Sequence, residues 1–484
     1  MSLPLLLVAS LLAHSNSASG EDWPGWRGPG GSGIATGSPP VEWSEKENVR
    51  WKVALPGKGN SSPVVFGARV FVTTAVGTGN KKPVEAGAEG GRPEGGGPPG
   101  GRPDGPPRDR GQGGGPPDGA GRGDRPERPE GQDGGRPRGP GGRGGFMRSV
   151  PIEEQDFFVL ALDRASGKIL WQKKVSTAMP HQGTHGDGSY ASPTPVTDGK
   201  VVIASFGSYG IYGFSVEGEL LWQKDLGDLD IQNSFGEGSS PVLHGDTLIV
   251  DWDNEGDSFL IALDKSTGAE KWRKARASTT NWSTPLVVEA GGKTQVIASS
   301  GKTIGYDLAS GEELWSYGES SEGGVISSPV LCDGVLIASM GRREALSAID
   351  LAQAHGDLKE SAAVLWSSSS DLPHVSSPLA YDGIVYMLKQ NSGLVSALDL
   401  ASGEHVYGPE RMDSLAEAYA SPVVADAHIY FAGRDGTVEV VAAGAEFKTL
   451  AVNTLEDAFD ASPAVAGDEL FLRGRASLYC IAKK

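Results

Sequence analysis

The sequence contains few cysteines, few basic residues and no long apolar run after its first residues. Its 484 residues include only 2 cysteines, Cys332 and Cys480, which is too few for a disulfide framework or a cysteine-rich metal site. Lys and Arg number 43 against 61 Asp and Glu, giving a net charge of -18, so nucleic acid is not expected as a partner. No stretch is long and apolar enough to form a transmembrane segment.

The first twenty residues are typical of a secretory signal. An apolar run from Leu3 to Ala13 is too short to span a bilayer, and small and polar residues follow it through Gly20. We therefore expect residues 1–19 to be a signal peptide, with cleavage near Ala18. No cysteine follows the run, which argues against a lipid anchor. The mature protein is expected to be periplasmic or extracellular.

Residues 77–148 differ sharply in composition from the rest of the chain. They contain 26 Gly and 13 Pro, residues that disfavour helix and strand. We expect a disordered Gly/Pro/Arg-rich insert here. Because closing a longer loop costs little additional entropy, replacing residues 80–148 by a short Gly-Ser link should leave the fold intact.

A short repeat indicates the architecture. A Ser/Ala-Ser/Thr-Pro tripeptide recurs eight times, and its later spacings of 48, 44, 44, 49, 44 and 41 residues match one four-stranded propeller blade of about 40 to 50 residues. We predict an all-β, eight-bladed β-propeller over residues 49–484, preceded by an extended segment at 20–48. The serine hydroxyls of the repeat are expected to cap turns. The repeat prolines are at positions 63, 193, 241, 285, 329, 378, 422 and 463.

A second motif marks the hairpin between the third and fourth strands of a blade. Its pattern is Ala-x-Asp, then a glycine four residues after the aspartate, then an aromatic residue four further on. The aspartate can bond amides of its own turn, the glycine supplies a positive φ, and the aromatic ring is expected to pack on a neighbouring blade. The residues of this structural motif are Ala161, Asp163, Gly167, Trp171, Ala262, Asp264, Gly268, Trp272, Asp307, Gly311, Trp315, Asp399 and Gly403.

The two ends of the propeller are expected to share one blade. The last repeat, from Pro463 to the end of the sequence, has room for only three strands, whereas residues 49–55 form a fourth-strand sequence with no preceding strands. Pairing them closes the ring without leaving an open edge. The same assignment places Cys332 and Cys480 in well-separated blades, so both are predicted to be free thiols.

The repeat, together with three local sequences, resembles the PQQ-like eight-bladed β-propeller repeat family. The local sequences are Trp-Pro-Gly-Trp-Arg-Gly-Pro at 23–29, Ser-Tyr-Ala-Ser-Pro-Thr-Pro-Val at 189–196 and Leu-Tyr-Cys-Ile at 478–481. The resemblance covers residues 22–76 and 149–484 and is closest to uncharacterised exported bacterial BamB-like propellers. The family includes both quinoprotein dehydrogenases and BamB-type assembly proteins, so the resemblance predicts fold more strongly than function.

The resemblance implies that any site lies on one face of the ring. That face would carry the loops leading into the first strands and the loops joining second to third strands. Aromatic and arginine side chains there would suit a small anion, a sugar or a peptide, or they would be ordinary solvated turn residues. The candidate ligand-face residues are His181, Tyr190, Trp282, Arg342, His374, Tyr419 and Arg434.

Two patterns have residue types that metal sites use. His181, His185 and Asp187 have ligand chemistry for Zn²⁺ or Cu²⁺, but their glycine-containing segment favours a flexible loop. Residues 251–257 resemble the start of a calcium loop, yet Ala262 stands where the bidentate glutamate is needed. No metal site is therefore predicted.

The resemblance also raises enzymatic activity as an alternative. Quinoprotein dehydrogenases bind PQQ with Ca²⁺ beside a catalytic aspartate, often near two adjacent half-cystines. This chain has no Cys-Cys pair and no loop in which those ligands can be placed. We predict a monomeric, non-catalytic binding or assembly scaffold for envelope proteins or cell-wall glycans, without a cofactor. The alternatives are a PQQ-dependent dehydrogenase with calcium and a carbohydrate-binding or carbohydrate-processing propeller.

Overall fold

The computed structural model describes residues 22–82, 152–319, 324–341 and 345–483. Eight sheets built on four antiparallel strands succeed one another along the chain. The first strands of successive blades lie side by side, except that blades 4 and 5 meet through their second strands, and the first strand of blade 8 lies beside that of blade 1. The predicted eight-bladed β-propeller is confirmed. The predicted signal peptide and most of the predicted insert lie outside the described residues.

Each of the first four blades is built from the inside of the ring outward. Their strands, in that order, are Val64–Phe66, Arg69–Lys81, Glu153–Asp163 and Ile169–Ala178 in blade 1; Val196–Thr197, Val201–Ser205, Ile211–Ser215 and Leu220–Lys224 in blade 2; Val242–His244, Thr247–Trp252, Phe259–Asp264 and Glu270–Ala275 in blade 3; and Leu286–Ala290, Lys293–Ser299, Thr303–Asp307 and Glu313–Tyr317 in blade 4. The short strand Gly356–Asp357 pairs in parallel with the outer edge of blade 4.

The remaining blades follow the same order. Their strands are Val330–Cys332, Val335–Met340, Ala345–Asp350 and Val364–Ser368 in blade 5; Leu379–Tyr381, Ile384–Leu388, Leu394–Asp399 and His405–Arg411 in blade 6; Val423–Ala425, His428–Ala432, Thr437–Ala442 and Thr449–Thr454 in blade 7; and Ala464–Ala466, Glu469–Arg473, Ser477–Ile481 and Val49–Ala54 in blade 8. Within the described ranges the helical turns are Pro29–Gly31, Gly207–Tyr209, Gln232–Ser234 and Lys389–Asn391. None of the helices in these ranges is long and apolar enough to cross a bilayer.

Blade 8 combines both ends of the chain, as predicted. Val49–Ala54 pairs antiparallel with Ser477–Ile481 and forms the outer strand of this blade. Cys480 in that blade and Cys332 in blade 5 are both free thiols, which confirms the prediction from the repeat.

Tryptophans of the outer strands hold neighbouring blades together. The Trp222 ring lies over Gly268 in the next blade, where φ is 69° and a Cβ atom would come within 2.6 Å of the ring. Its indole N–H donates to the Lys265 carbonyl at 2.8 Å. This confirms the predicted role of the hairpin motif. The other pairs that share the arrangement are Trp51 with Gly167, Trp171 with Gly218, Trp272 with Gly311, and Trp366 with Gly403.

The aspartates of the same hairpins bond their own turns, also as predicted. The Asp264 carboxylate accepts the amides of Ser266 at 3.0 Å and Thr267 at 3.1 Å. Trp315 is an exception to the inter-blade bond, because its indole donates to the Gln295 side chain of its own blade at 2.8 Å.

The hydroxyls of the Ser/Thr-Pro repeat link the blades in series, so the expectation that they cap turns is wrong. In blades 2 to 8 the buried hydroxyl accepts the amide of the equivalent residue in the preceding blade, as Thr284 does from Ser240 at 3.1 Å. In blade 2 the equivalent residue is Thr194, so the repeat proline there is Pro195 and not Pro193. The linked residues are Ser62, Thr194, Ser240, Thr284, Ser328, Ser377, Ser421 and Ser462.

Residues 22–48, termed the channel segment below, do more than lead into the propeller. Trp23 exchanges two main-chain bonds with Val65, and Ile34–Ala35 pairs in parallel with the first strand of blade 7. The segment leaves the ring where Gly37 packs against Gly467 in the turn between the first two strands of blade 8. The segment therefore lies beside the innermost strands. It leaves the ring on the face that carries the turns between first and second strands.

The strands beside the insert are longer than the composition indicated. The second strand of blade 1 continues to Lys81, past the boundary expected at residue 77, and the third begins at Glu153. The Lys82 amide donates to the Ile152 carbonyl at 2.9 Å. The residues on either side of the undescribed range 83–151 are therefore already joined by a main-chain hydrogen bond.

Candidate functional site

The two sets of loops that were predicted to share one face do meet, and we call the surface they form the loop face. Loops preceding first strands contact loops between second and third strands, as Asp460 contacts Arg434 and Thr280 contacts Glu255. The opposite surface, which carries the first-to-second and third-to-fourth turns, is called the turn face. Three side-chain clusters lie on the loop face.

The first cluster surrounds Arg434. Each nitrogen of its guanidinium faces a carboxylate: Asp460 at 2.8 Å, Glu417 at 3.0 Å and Asp187 at 2.6 Å. The guanidinium carbon also lies 4.0 Å from the centroid of the Tyr419 ring. This arginine is therefore committed to intramolecular charges, which leaves it poorly placed to recruit an external anion.

The Asp187 contact connects distant blades. Asp187 belongs to the loop leading into blade 2, whereas Arg434 belongs to blade 7. The same loop is held to blade 1, because the Asn60 side chain donates to the Asp187 carbonyl at 3.0 Å. It is also held to the loop leading into blade 3, because the His185 amide donates to the Phe235 carbonyl at 3.1 Å. The loop therefore bridges the loop face between blades 2 and 7.

The second cluster lies between blades 2 and 3. His181, Tyr190, Tyr209 and Glu237 line a cavity of about 10 Å³, the space of one water molecule. The Glu237 carboxylate accepts the amide and hydroxyl of Ser208 at 3.0 and 2.6 Å. Burial raises the pKa of Glu237 to about 7, because removal from water disfavours the charged form. Burial likewise raises the pKa of Tyr190 to about 12.

The histidines of this region are not arranged as metal ligands. One ring nitrogen of His181 lies 2.9 Å from the Leu229 carbonyl, whereas His185 faces the Asp187 carboxylate at 3.6 Å. Within the part of the chain that the structure describes, no group of three or more His, Cys, Asp and Glu side chains could hold a metal ion.

The third cluster is a buried polar network between blades 3 and 4. Asp253 and Arg276 form a two-bond ion pair at 2.8 and 3.0 Å, with side-chain exposures of 0% and 1%. Arg276 also donates to the Tyr306 hydroxyl at 2.9 Å, and the Asn281 side chain donates to Asp251 at 3.1 Å. Burial, and then the neighbouring charge of Asp253, raises the pKa of Asp251 well above its usual value.

The remaining candidate residues are dispersed. Trp282 joins the second cluster, since its indole donates to the Gly236 carbonyl at 2.7 Å. His374 lies apart, with a ring nitrogen 3.2 Å from the Asn391 side-chain nitrogen, beside another cavity of about 10 Å³. Arg342 lies outside the described residues.

The sequence patterns did not reveal several members of these clusters. Glu237 and Tyr209 belong to no motif, and Arg276 follows an outer strand, where the repeat carries no polar signature. Only their positions in the folded ring bring them into contact with the residues that the repeat did identify.

Neither of the two loop-face cavities described above has room for PQQ. The two cavities there are each about 10 Å³, too small for a fused-ring cofactor. Asp253, the carboxylate most suited to calcium by its sequence context, is instead paired with Arg276.

A larger cavity lies in the central channel. It measures about 150 Å³ and is enclosed by the channel segment and by the first strands of blades 2 to 4 with Pro329, which leads into blade 5. No candidate residue was predicted there, because the sequence pattern of residues 20–48 indicated only an extended leader.

Comparisons with known proteins agree with this architecture. The sequence profile of the family described as outer membrane protein assembly factor BamB matches residues 155–406 and 256–484. BamB of Shewanella oneidensis is 24% identical over 297 residues, which covers 58% of this chain and 65% of the relative. The match thus spans less than two thirds of that relative's length.

Solved structures of enzymes share the fold. A europium-containing methanol dehydrogenase aligns with a TM-score of 0.59 at 10% identity, covering 95% of this chain and 91% of that one. The quinohemoprotein alcohol dehydrogenase of Comamonas testosteroni aligns with a TM-score of 0.58 at 10% identity, covering 99% and 83%. At such identity the likeness shows the fold alone. With two overlapping matches to one family profile along most of the folded chain, the protein belongs to the PQQ-like propeller family described as outer membrane protein assembly factor BamB.

Proposed function

We propose that the protein is an exported, non-catalytic scaffold that binds another envelope protein through its loop face. The observation that carries the proposal is the bridge from Asp187 to Arg434, which joins blades 2 and 7 across this face. The bridge holds loops of distant blades together, and the two cavities described on this face are only water-sized. A surface of this kind suits a broad macromolecular contact better than a small substrate.

Family membership supports the same proposal. The BamB relative is named as an assembly factor, and assembly factors act by contacting other proteins. The buried networks of the loop face serve this use, because Arg276 with Asp253 and Arg434 with Asp460 hold adjacent loops in fixed positions. Pre-ordered loops lose less conformational entropy when a partner binds.

Site-specific photo-crosslinking tests the proposal. A photoreactive residue would replace Asp228 or Ala416, which are exposed on loop-face loops, and Lys168 or Ser266 would serve as exposed turn-face controls. We expect one and the same envelope protein to be captured from both loop-face positions and not from the controls. Capture from the turn face only, or capture of cell-wall glycan and no protein, would contradict the proposal.

The dehydrogenase alternative has its own test. The purified protein would be mixed with PQQ and Ca²⁺, and binding and dye reduction would be followed with simple alcohols and aldose sugars. We expect neither saturable binding nor substrate-dependent reduction. If both occur, the scaffold proposal is wrong.

A further inference from the structure

The channel segment binds the innermost strands through its main chain. An innermost strand of a blade uses one edge to pair with the second strand, so its other edge faces the central channel. The segment pairs with that free edge in three blades, at Val65 of blade 1, Thr197 of blade 2 and Val424 of blade 7. In blade 6 the Arg27 side chain donates to the Pro378 carbonyl at 2.9 Å.

The other side of the channel is not used in this way. No main-chain hydrogen bond joins the described residues of the channel segment to the first strands of blades 3, 4 or 5. Gly31 meets blade 4 only by packing, since a Cβ atom there would lie 3.1 Å from the Leu286 side chain. The cavity of about 150 Å³ lies at this unpaired side.

The walls of the cavity combine apolar surface with strand edges. Trp26 and Gly30 contribute from the channel segment, and Val242, His244, Thr284 and Pro285 contribute from blades 3 and 4. The ionisable side chain among these is His244, in the turn-face end of its strand, 3.8 Å from the Glu289 carboxylate. The wall therefore favours an uncharged ligand, and the channel edge of Val242–His244 is where its main chain would pair.

We propose that this cavity binds a short extended peptide, which pairs with the channel edges of blades 3 and 4. The channel segment is the precedent, because it already binds the equivalent edges of blades 1, 2 and 7 in this manner. From Val242 to His244 the strand rises about 7 Å, so this edge can pair with about two or three residues of extended chain. This inference concerns the channel and does not depend on the role proposed for the loop face.

The test uses a peptide that copies a strand the protein already binds. The probe is acetyl-Gly-Ile-Ala-Thr-amide, the sequence of residues 33–36, of which Ile34–Ala35 pairs with blade 7. Saturation-transfer NMR and a titration of chemical shifts would measure its binding to the whole protein. We expect saturable binding that weakens at least five-fold when the probe carries N-methyl groups on alternate amides, because those amides can no longer donate hydrogen bonds.

A matched pair of variants locates the site. Gly30 lines the cavity at φ 61°, and a Cβ atom there would meet nothing within 4 Å. Asparagine tolerates this conformation, so Gly30→Asn adds a side chain at the cavity without breaking the fold. Gly383→Asn is the control, because Gly383 has φ 74° and equally open surroundings in a turn of blade 6. We expect at least five-fold weaker binding to Gly30→Asn and unchanged binding to Gly383→Asn, with equal melting temperatures.

Each remaining outcome counts against the proposal. Equal binding of the probe by both variants would place it elsewhere. Equal binding of the N-methylated probe would show that apolar packing, and not strand pairing, holds the ligand. If the wild-type protein binds indole at this cavity but not the peptide, the site takes small aromatic molecules instead.

Discussion

At the scale of single residues, the surroundings of a carboxyl group decide its charge. Asp163 lies in a turn where the Ser166 side chain and then its amide hold the pKa of the carboxyl below its usual value. Glu237 receives comparable bonds from Ser208, yet burial outweighs them and raises its pKa to about 7. A carboxyl group therefore favours its charged form in the exposed turn and its protonated form in the buried cluster.

We expect Glu237→Gln to stabilise the protein above neutral pH. The folded-state pKa of about 7 exceeds the usual 4.5, so the folded protein holds this proton more tightly and loses stability as pH rises between these values. The glutamine variant cannot ionise. Its free energy of unfolding should equal that of the wild type near pH 4.5 and exceed it by about 3 kcal/mol at pH 8, with a correspondingly higher melting temperature. A difference that does not change with pH would refute the assignment.

A second residue-scale prediction concerns the hydroxyl series. Thr284→Val keeps the shape of the side chain but leaves the buried Ser240 amide without its acceptor, which should cost about 1–2 kcal/mol. Thr284→Ser restores the oxygen and is the natural control, since serine occupies the equivalent position in most other blades. Denaturant unfolding would measure both, and equal losses would show that packing and not the hydrogen bond matters.

At the scale of elements, each blade is completed by its neighbour. The ring of Trp272 covers Gly311 of the next blade, and its N–H is satisfied by the Leu308 carbonyl at 2.8 Å. Two features require glycine at this position. Its φ is 72°, and an added Cβ atom would lie only 2.8 Å from the tryptophan ring. The turn and the tryptophan therefore act as one unit across the blade boundary.

Comparing two glycines of blade 4 separates these effects. Gly311→Ala should cost about 2–4 kcal/mol, because it adds overpacking to backbone strain. Gly292→Ala should cost only about 1 kcal/mol, since Gly292 has the same φ of 72° but nothing within 4 Å of an added Cβ. Chemical denaturation of both variants provides the measurement. If the two losses are equal, the tryptophan contact contributes nothing.

At the scale of the whole molecule, closure is achieved by strands from both ends of the chain. Val49–Ala54 completes blade 8, while the channel segment contacts blades 1, 2, 6 and 7 before reaching it. The ring has no free boundary between its first and last blades, which protects strand edges and favours cooperative unfolding.

Replacing residues 83–151 by Asn-Gly should leave this ring intact. Lys82 and Ile152 are already joined by a main-chain hydrogen bond of 2.9 Å, and Asn-Gly is the preferred turn for closing such a hairpin. Calorimetry should show a melting temperature within about 10 °C of the wild type. A larger fall would mean that the removed residues stabilise the propeller.

The sequence alone determined the elements that repeat. The Ser/Thr-Pro period predicts the blades, and the Asp, Gly and Trp hairpin predicts the contacts between them. Both can be recognised because each motif is built from residues a few positions apart and recurs from blade to blade. The pairing of Val49–Ala54 with Cys480's strand was also predictable, since one blade lacked a strand and one strand lacked a blade. A local backbone requirement can be recognised from residues that lie close together in the sequence.

Only the tertiary structure decided the contacts that close across the ring. Asp187 and Arg434 are far apart in sequence and meet because two loops from blades 2 and 7 share one face. Arg27 donates a hydrogen bond to the Pro378 carbonyl, and burial raises the pKa of Glu237 to about 7. No sequence motif predicts either environment. Such contacts involve single residues without a period, so their partners and their desolvation are set by where the folded ring places them.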